Sequence, residues 1–203
     1  MSSRSYSSPL RDRQAAATRS VILEALGAEL ADGSVEDFSV ARLARRAGVS
    51  ERTVYRHFPT RETLLDGLSE WYNERVADFP DDVAADEIAP TIAQVFADFD
   101  AHESLARGVL ASPGGREMRQ HARAARLARL DAALAPVLKS ADPERAAAAR
   151  ALIFALCSAQ TWQSMRDEGG LDGATAGRAV ARAIELILND TSPSSPPPTP
   201  MEP

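Results

Sequence analysis

The chain has 203 residues and a formal net charge of -6, with 44% hydrophobic but only 5% aromatic residues. That length can bury one substantial core or split into a small and a larger domain, and the wealth of alanine, leucine and arginine favours helices over sheets. A single cysteine, Cys157, excludes an internal disulfide and a cysteine-built zinc site, and no window is apolar for long enough to span a membrane.

Residues 1–17 are Ser- and Arg-rich without periodicity and read as a flexible basic arm, in which Arg4, Arg11 and Arg13, with Arg19 just beyond, could reach phosphates or a minor groove. They lack the apolar core of an export signal, so the expected location is cytoplasmic. A first helix is expected from about Ala17 to Ala31, with Ile22, Ala25, Leu26 and Leu30 near one face and Gly33 just past its end. Ser39 is placed to cap "VARLARRA", which stops at Gly48. Ser50 caps "ERTVYRHF", which stops at Pro59, and Thr60 caps a fourth helix running to about Phe79. Pro90 suits the first turn of a fifth helix, and a short sixth covers about Leu105 to Ala111 before "SPGG". A long seventh helix runs from about Arg116 to Leu138, with Pro136 positioned to kink it or end it early. Asp142 and Pro143 open an eighth helix that Gly169 and Gly170 terminate, and Asp172 caps a ninth to about Asn189. The tail from Thr191 is Pro/Ser-rich and cannot build a core. The expected fold is all-α with about nine helices and no metal site or cofactor. Its domains are an arm (1–17), a three-helix helix-turn-helix domain (18–64), a larger helical ligand-binding and dimerisation domain (65–190) and a disordered tail (191–203).

The acidic average hides a local basic excess. Between Ser39 and Arg61 lie Arg42, Arg45, Arg46, Arg52, Arg56 and Arg61 against Glu51 alone, a composition suited to touching phosphates with one face only. Two short helices joined by "AGVS" have the length and turn chemistry of a helix-turn-helix, whose second helix enters the major groove. Leu43, Ala44 and Ala47 can pack on Val49, Val54 and Phe58, leaving Glu51, Arg52, Tyr55 and Arg56 outward. Arginine's planar fork matches O6 and N7 of guanine, which makes Arg52 and Arg56 candidate base readers. Thr53, Tyr55 and His57 carry donors suited to phosphate oxygens, as do the backbone N–H groups at the capped starts Ser39 and Thr60. On these residues alone, a solvated arginine face is an equal alternative.

The stretch "VILEALGAELADGSVEDFSVARLARRAGVSERTVYRHFPTRETLLDGL" resembles the DNA-binding domain of the tetracycline-repressor (TetR) family of bacterial transcription regulators. "SVARLARRAGVS", "TVYRHF" and "PTRETLL" follow one another in the family's order and spacing over about fifty residues. The resemblance implies phosphate contacts from Thr53, Tyr55, His57 and Arg61, and base contacts from Glu51, Arg52 and Arg56. Ala41 stands where some members place a base-reading arginine, and Val40 where some have a phosphate-binding threonine, so no particular operator transfers.

One recognition helix reads few base pairs, so a dimer with helices about 34–36 Å apart is expected. Ala176, Val180, Ala183, Ile184 and Ile187 form one stripe at helical spacing. Ala149, Ile153, Leu156, Gln160 and Met165 form another, and either stripe could equally fill the subunit's own core. TetR-like proteins dimerise through their last two long helices. The resemblance also implies an effector pocket, for which Phe96, Phe99, His102, Met118, His121, Phe154, Cys157, Trp162 and Met165 are candidates, although each could be simple core. With few ionisable groups in the apolar runs, a largely apolar small molecule is expected. The functional expectation is a ligand-responsive regulator, with repression as the expected output, that binds a palindromic operator as a dimer. The alternatives are a small helical enzyme and a ligand-free helical adaptor. Against the enzyme, no G-x-S-x-G elbow, phosphate loop or H-E-x-x-H is present, and Cys157 sits in an apolar run.

Overall fold

A computed structural model of the chain describes residues 9–32, 39–76, 79–80 and 82–191. Among these residues all regular structure is helical. The elements are α1 (Pro9–Ala31), α2 (Val40–Ala47), α3 (Glu51–His57), α4 (Arg61–Val76), a 3-10 turn (Ala85–Glu87), α5 (Ile88–Ala101), α6 (Glu103–Ala111), α7 (Pro113–His121), α8 (Arg123–Leu138), α9 (Pro143–Leu156), α10 (Ala159–Asp167) and α11 (Gly173–Thr191). No described helix is long and apolar enough to cross a membrane.

Among the described residues eleven α-helices replace the nine expected, because two long runs each divide. Residues 116–138 divide between α7 and α8 at Ala122, whose N–H returns to the Met118 carbonyl. The "SPGG" turn is itself the start of α7, with Ser112 Oγ accepting from Gly115 N at 3.0 Å and Pro113 in the first turn. Residues 143–168 divide at Cys157–Ser158, because Ser158 Oγ accepts from Thr161 N at 3.2 Å and so starts α10 as a new helix. Such a side-chain cap competes with continuation of the preceding helix. Pro136 does not end its helix; α8 runs past it to Leu138.

The arm also needs correction over part of its length. Residues 9–17 are the first turns of α1, not a flexible segment, with Asp12 in the first turn and an alanine run behind it. Acid at a helix start and alanine within it both favour that extension. Arg4 lies outside the described residues, as do Gly33 and the tail beyond Thr191.

The described residues fall into two compact units, one drawn from 9–76 and 102–123 and the other from 79–101 and 124–191. All of α4 therefore belongs to the first unit, and so do α6 and α7, which the sequence assigned to the larger domain. The first unit closes around Ile22, Leu26 and Leu30 of α1, Leu64, Leu68 and Tyr72 of α4, and Ala106 and Val109 of α6, all nearly inaccessible. Helix α6 packs directly on the α1 backbone at Gly108, where a Cβ would collide with the Leu30 carbonyl and lie 2.6 Å from its carbon. Gly108→Ala should therefore lower stability by about 2 kcal/mol, an overpacking cost of ~3 set against a helix-propensity gain of ~1. A urea midpoint unchanged by the substitution would show that the two helices can separate freely.

In the second unit α5 and α11 pack along their length, burying Ile92, Val95, Phe96 and Phe99 against Ala176, Val180 and Ile184. One carboxylate ties three elements together. Asp100 Oδ1 accepts from Trp162 Nε1 at 2.8 Å, and Oδ2 accepts from Arg166 Nη1 and from the Gly173 backbone, both at 2.6 Å.

Candidate nucleic-acid interface

The α2–turn–α3 unit is held by local signals at each end. Ser39 Oγ accepts from Arg42 N at 3.4 Å, and Ser50 Oγ accepts from Thr53 N at 3.2 Å. Between them Gly48 takes a left-handed conformation, φ 67°, and Val49 N bonds back to the Ala44 carbonyl at 3.0 Å. A residue with a Cβ would be strained there, which is why glycine marks this turn. At the start of α4, Thr60 Oγ1 accepts from Thr63 N at 3.2 Å while Thr63 Oγ1 accepts from Thr60 N at 3.1 Å.

The faces divide as the sequence indicated. Leu43, Ala44, Val54 and Phe58 are buried, and Val49 and Ala47 are half-buried. Glu51, Arg52, Tyr55 and Arg56 stand exposed on one side of α3, with Tyr55 53% exposed, and Thr53 and His57 flank them half-buried. An exposed aromatic ring beside two guanidinium groups, on a helix whose opposite side buries Val54 and runs into the buried Phe58, is a surface able to meet a polar partner. The Thr53 hydroxyl lies 2.9 Å from that of Ser50, so the cap also orients it. His57 Nε2 lies 3.5 Å from Arg56 Nη2. Burial, then the charges of Arg56 and Arg19, hold the His57 pKa below the ordinary imidazole value. The ring is therefore neutral at pH 7 and supplies a hydrogen bond rather than a charge.

Several expected DNA-facing arginines are engaged within the first unit instead. Arg42 Nε donates to Glu29 at 3.3 Å, a carboxylate only 2% exposed on α1, and Arg46 pairs with Asp32 at 2.7 Å. These pairs fasten α2 to α1. Arg19, expected to belong with the arm, lies over the Phe58 ring at 4.5 Å and reaches Glu70 at 3.3 Å. It thereby fixes the end of α3 against α1 and α4 rather than pointing outward. Arg61 is gripped by Glu117, and Asp66 by His121 at 2.6 Å, both pairs joining α4 to α7. The two halves of each pair lie 13 to 56 residues apart in sequence, on different helices or just past a helix end, so no local pattern announces them.

The residues expected to line an effector pocket are divided between the two units. Phe96, Phe99 and Trp162 pack together in the second unit, with centroids 6.0 and 5.4 Å apart along the series, and are at most 3% exposed. Phe154, Cys157 and Met165 are half-buried in the same unit. Burial pushes the Cys157 thiol up to about 12, so it is protonated at any physiological pH and a poor nucleophile. The other three belong to the first unit: Met118 is core, His121 is bonded to Asp66, and His102 is exposed just before α6. An open depression of 430 Å³ in the second unit is lined by Pro80, Asp82, Val83, Glu87, Pro90 and Thr91, none of them among the nine.

The expected dimer stripe likewise turns inward. Ile153, Ala176, Val180 and Ile184 are 0–2% exposed within the single chain, Ala183 and Ile187 are half-buried, and only Gln160 is exposed. Alanine and branched residues at helical spacing fill the subunit's own core here. The opposite faces carry the accessible apolar groups: Ala148, Ala151, Leu152 and Ala155 on α9, and Ala179 and Leu186 on α11. Leu152 and Leu186 are 53% and 55% exposed.

Residues 22–68, from the middle of α1 to the middle of α4, match the family model described as bacterial regulatory proteins, tetR family. The chain carries a TetR-family N-terminal domain. Within it lie Ile22, Leu26 and Leu30 of the core, the capped turn, the exposed face of α3 and Arg61. The chain is similar to the nucleoid occlusion factor SlmA of Alteromonas mediterranea, 39% identical over 56 residues, which are 28% of this chain and 29% of that protein. SlmA of Vibrio vulnificus is 41% identical over 58 residues, with the same two shares. The chain thus matches less than a third of the length of these relatives. Among solved structures, NalD, the secondary repressor of the MexAB-OprM multidrug efflux pump in Pseudomonas aeruginosa, superposes with TM-score 0.61 at 18% identity, over 85% of this chain and 96% of that one. A transcriptional regulator from Rhodococcus sp. Rha1 superposes with TM-score 0.55 at 20% identity, over 87% and 99%. At these identities the likeness is one of fold.

Proposed function

We propose that the protein is a transcription regulator that binds a palindromic DNA operator as a homodimer, with repression as its output. The observation that carries this reading is the exposed face of α3: Glu51, Arg52, Tyr55 and Arg56 are aimed outward by a capped, glycine-turned scaffold inside a TetR-family domain. Arg52 and Arg56 read guanine edges. Thr53, Tyr55, His57 and the N–H groups behind Ser39 and Thr60 hold phosphates, and Ser50 fixes the helix start. Glu51 accepts from a cytosine amino group or orients Arg52, since a carboxylate facing phosphate alone would only repel it. The half-buried Cys157 supports the non-enzymatic reading, because its thiol is not activated.

Nucleoid occlusion belongs to the SlmA proteins and efflux control to NalD. The shared segment supports DNA contact and no more.

The dimer is built from the outward faces of α9 and α11, centred on Leu152 and Leu186, with the small residues Ala148, Ala151, Ala155 and Ala179 allowing close approach. Sedimentation of the wild-type chain at micromolar concentration should give a dimer, and Leu152→Glu with Leu186→Glu a monomer; a wild-type monomer would overturn this part.

A small, largely apolar effector binds in the second unit, where Phe154 and Met165 are half-buried and Phe96, Phe99 and Trp162 pack together. It favours a conformer whose recognition helices no longer fit adjacent major grooves, by its difference in affinity for the two conformers. The overall reading is tested by titrating a DNA duplex at increasing salt. Affinity should fall steeply through counterion release, and binding that is absent or indifferent to salt would sink it.

A further inference from the structure

The fork of Arg61 is already occupied. Its Nε lies 2.5 Å from Glu117 Oε1 and its Nη2 lies 2.5 Å from Glu117 Oε2, a two-pronged grip of the kind a guanidinium also uses on phosphate. The two partners demand the same donors in the same plane, so Arg61 cannot offer that fork to both at once. Glu117 is carried by α7, whose position is set independently. Ser112 caps its start, Arg119 donates to the Val109 carbonyl of α6, and His121 bonds Asp66 further along the same two helices.

We propose that Glu117 acts as an internal stand-in for a DNA phosphate, competing with the nucleic-acid backbone for the Arg61 guanidinium. This rests on the DNA-binding reading above and adds a control to it. Arg61 is 45% exposed and Glu117 35%, so water and salt reach the pair and screen it. A phosphate can therefore compete for the guanidinium. Removing the Glu117 carboxylate frees one phosphate contact per DNA-binding domain while leaving the base-reading face of α3 untouched. A pair that merely stapled α7 to α4 would affect stability but not the number of phosphates engaged.

The test uses the full chain and a duplex of about 30 base pairs of arbitrary sequence, because a phosphate contact needs no particular bases. Wild type, Glu117→Gln, Glu117→Ala, Arg61→Ala and Arg61→Ala with Glu117→Gln are titrated by fluorescence anisotropy at several salt concentrations. Releasing Arg61 should tighten binding about two- to fivefold. It should also steepen the dependence of log affinity on log salt by about 0.9 per domain. In the Arg61→Ala background, Glu117→Gln should change neither quantity. The proposal is overturned if both Glu117 variants match wild type in affinity and salt slope. It is overturned equally if Glu117→Gln acts as strongly without Arg61, which would mean a general charge effect. Wild type that bound no duplex at any salt would overturn the DNA-binding reading itself, an outcome separate from wild type that binds but is indifferent to Glu117.

Discussion

Asp100→Ala should destabilise the second unit by about 3 kcal/mol. The substitution takes one acceptor away from three donors at once: the Trp162 indole, the Arg166 guanidinium and the Gly173 backbone N–H. Breaking a buried pair by removing one partner costs about 3–5 kcal/mol. The side chains of Asp100 and Arg166 are 25% and 24% exposed, so water recovers part of that cost and the lower figure applies. Asp100→Asn should cost less, because its carbonyl oxygen can still accept from one donor while the ionic component is lost. Urea unfolding followed by Trp162 fluorescence, in a Trp71→Phe background that removes the other tryptophan, reads the effect where it arises. An unchanged midpoint would mean that the carboxylate ties nothing together.

Arg56→Ala should weaken binding to a preferred duplex by about 1–3 kcal/mol per half-site and flatten the preference at one base position. Arg56 is exposed on α3 beside the neutral His57, and no part of the buried face that fixes the helix is altered. Helix content and thermal stability should therefore stay at wild-type values. Arg61→Ala, by contrast, should weaken all sequences alike and by less, since Glu117 already competes for that guanidinium. Anisotropy titrations against duplexes permuted at each position separate the two patterns. Arg56→Ala binding with undiminished affinity and unchanged preference would remove α3 from the role given to it.

Much of the architecture around α3 was legible because its causes are local. Ser39, Ser50, Thr60, Asp142 and Asp172 each mark a helix start through a side chain bonding a backbone N–H within three residues. Gly48 marks a turn that only a positive φ closes. Two features defeated local reasoning. Ser158 looks like any polar residue inside a helix until its hydroxyl is seen capping α10, so the run from Pro143 reads as one helix. The stripe Ala176, Val180, Ile184 has the spacing of an interface and of a core alike, and only its packing on α5 distinguishes them.

The basic patch was legible as composition but not as an inventory of DNA contacts. Glu29 for Arg42, Asp32 for Arg46 and Glu117 for Arg61 become partners only when α1 and α7 are brought alongside. The outward face of α3 survived that reckoning because its neighbours across the turn are apolar and point inward.

Whether that face reads sequence is tested most directly by selecting random duplexes with the purified full-length protein and sequencing those retained. Enrichment of an inverted repeat, with half-site centres about 10 base pairs or a multiple of that apart and guanines within each half-site, is the expected result. A retained pool as random as the input would contradict it.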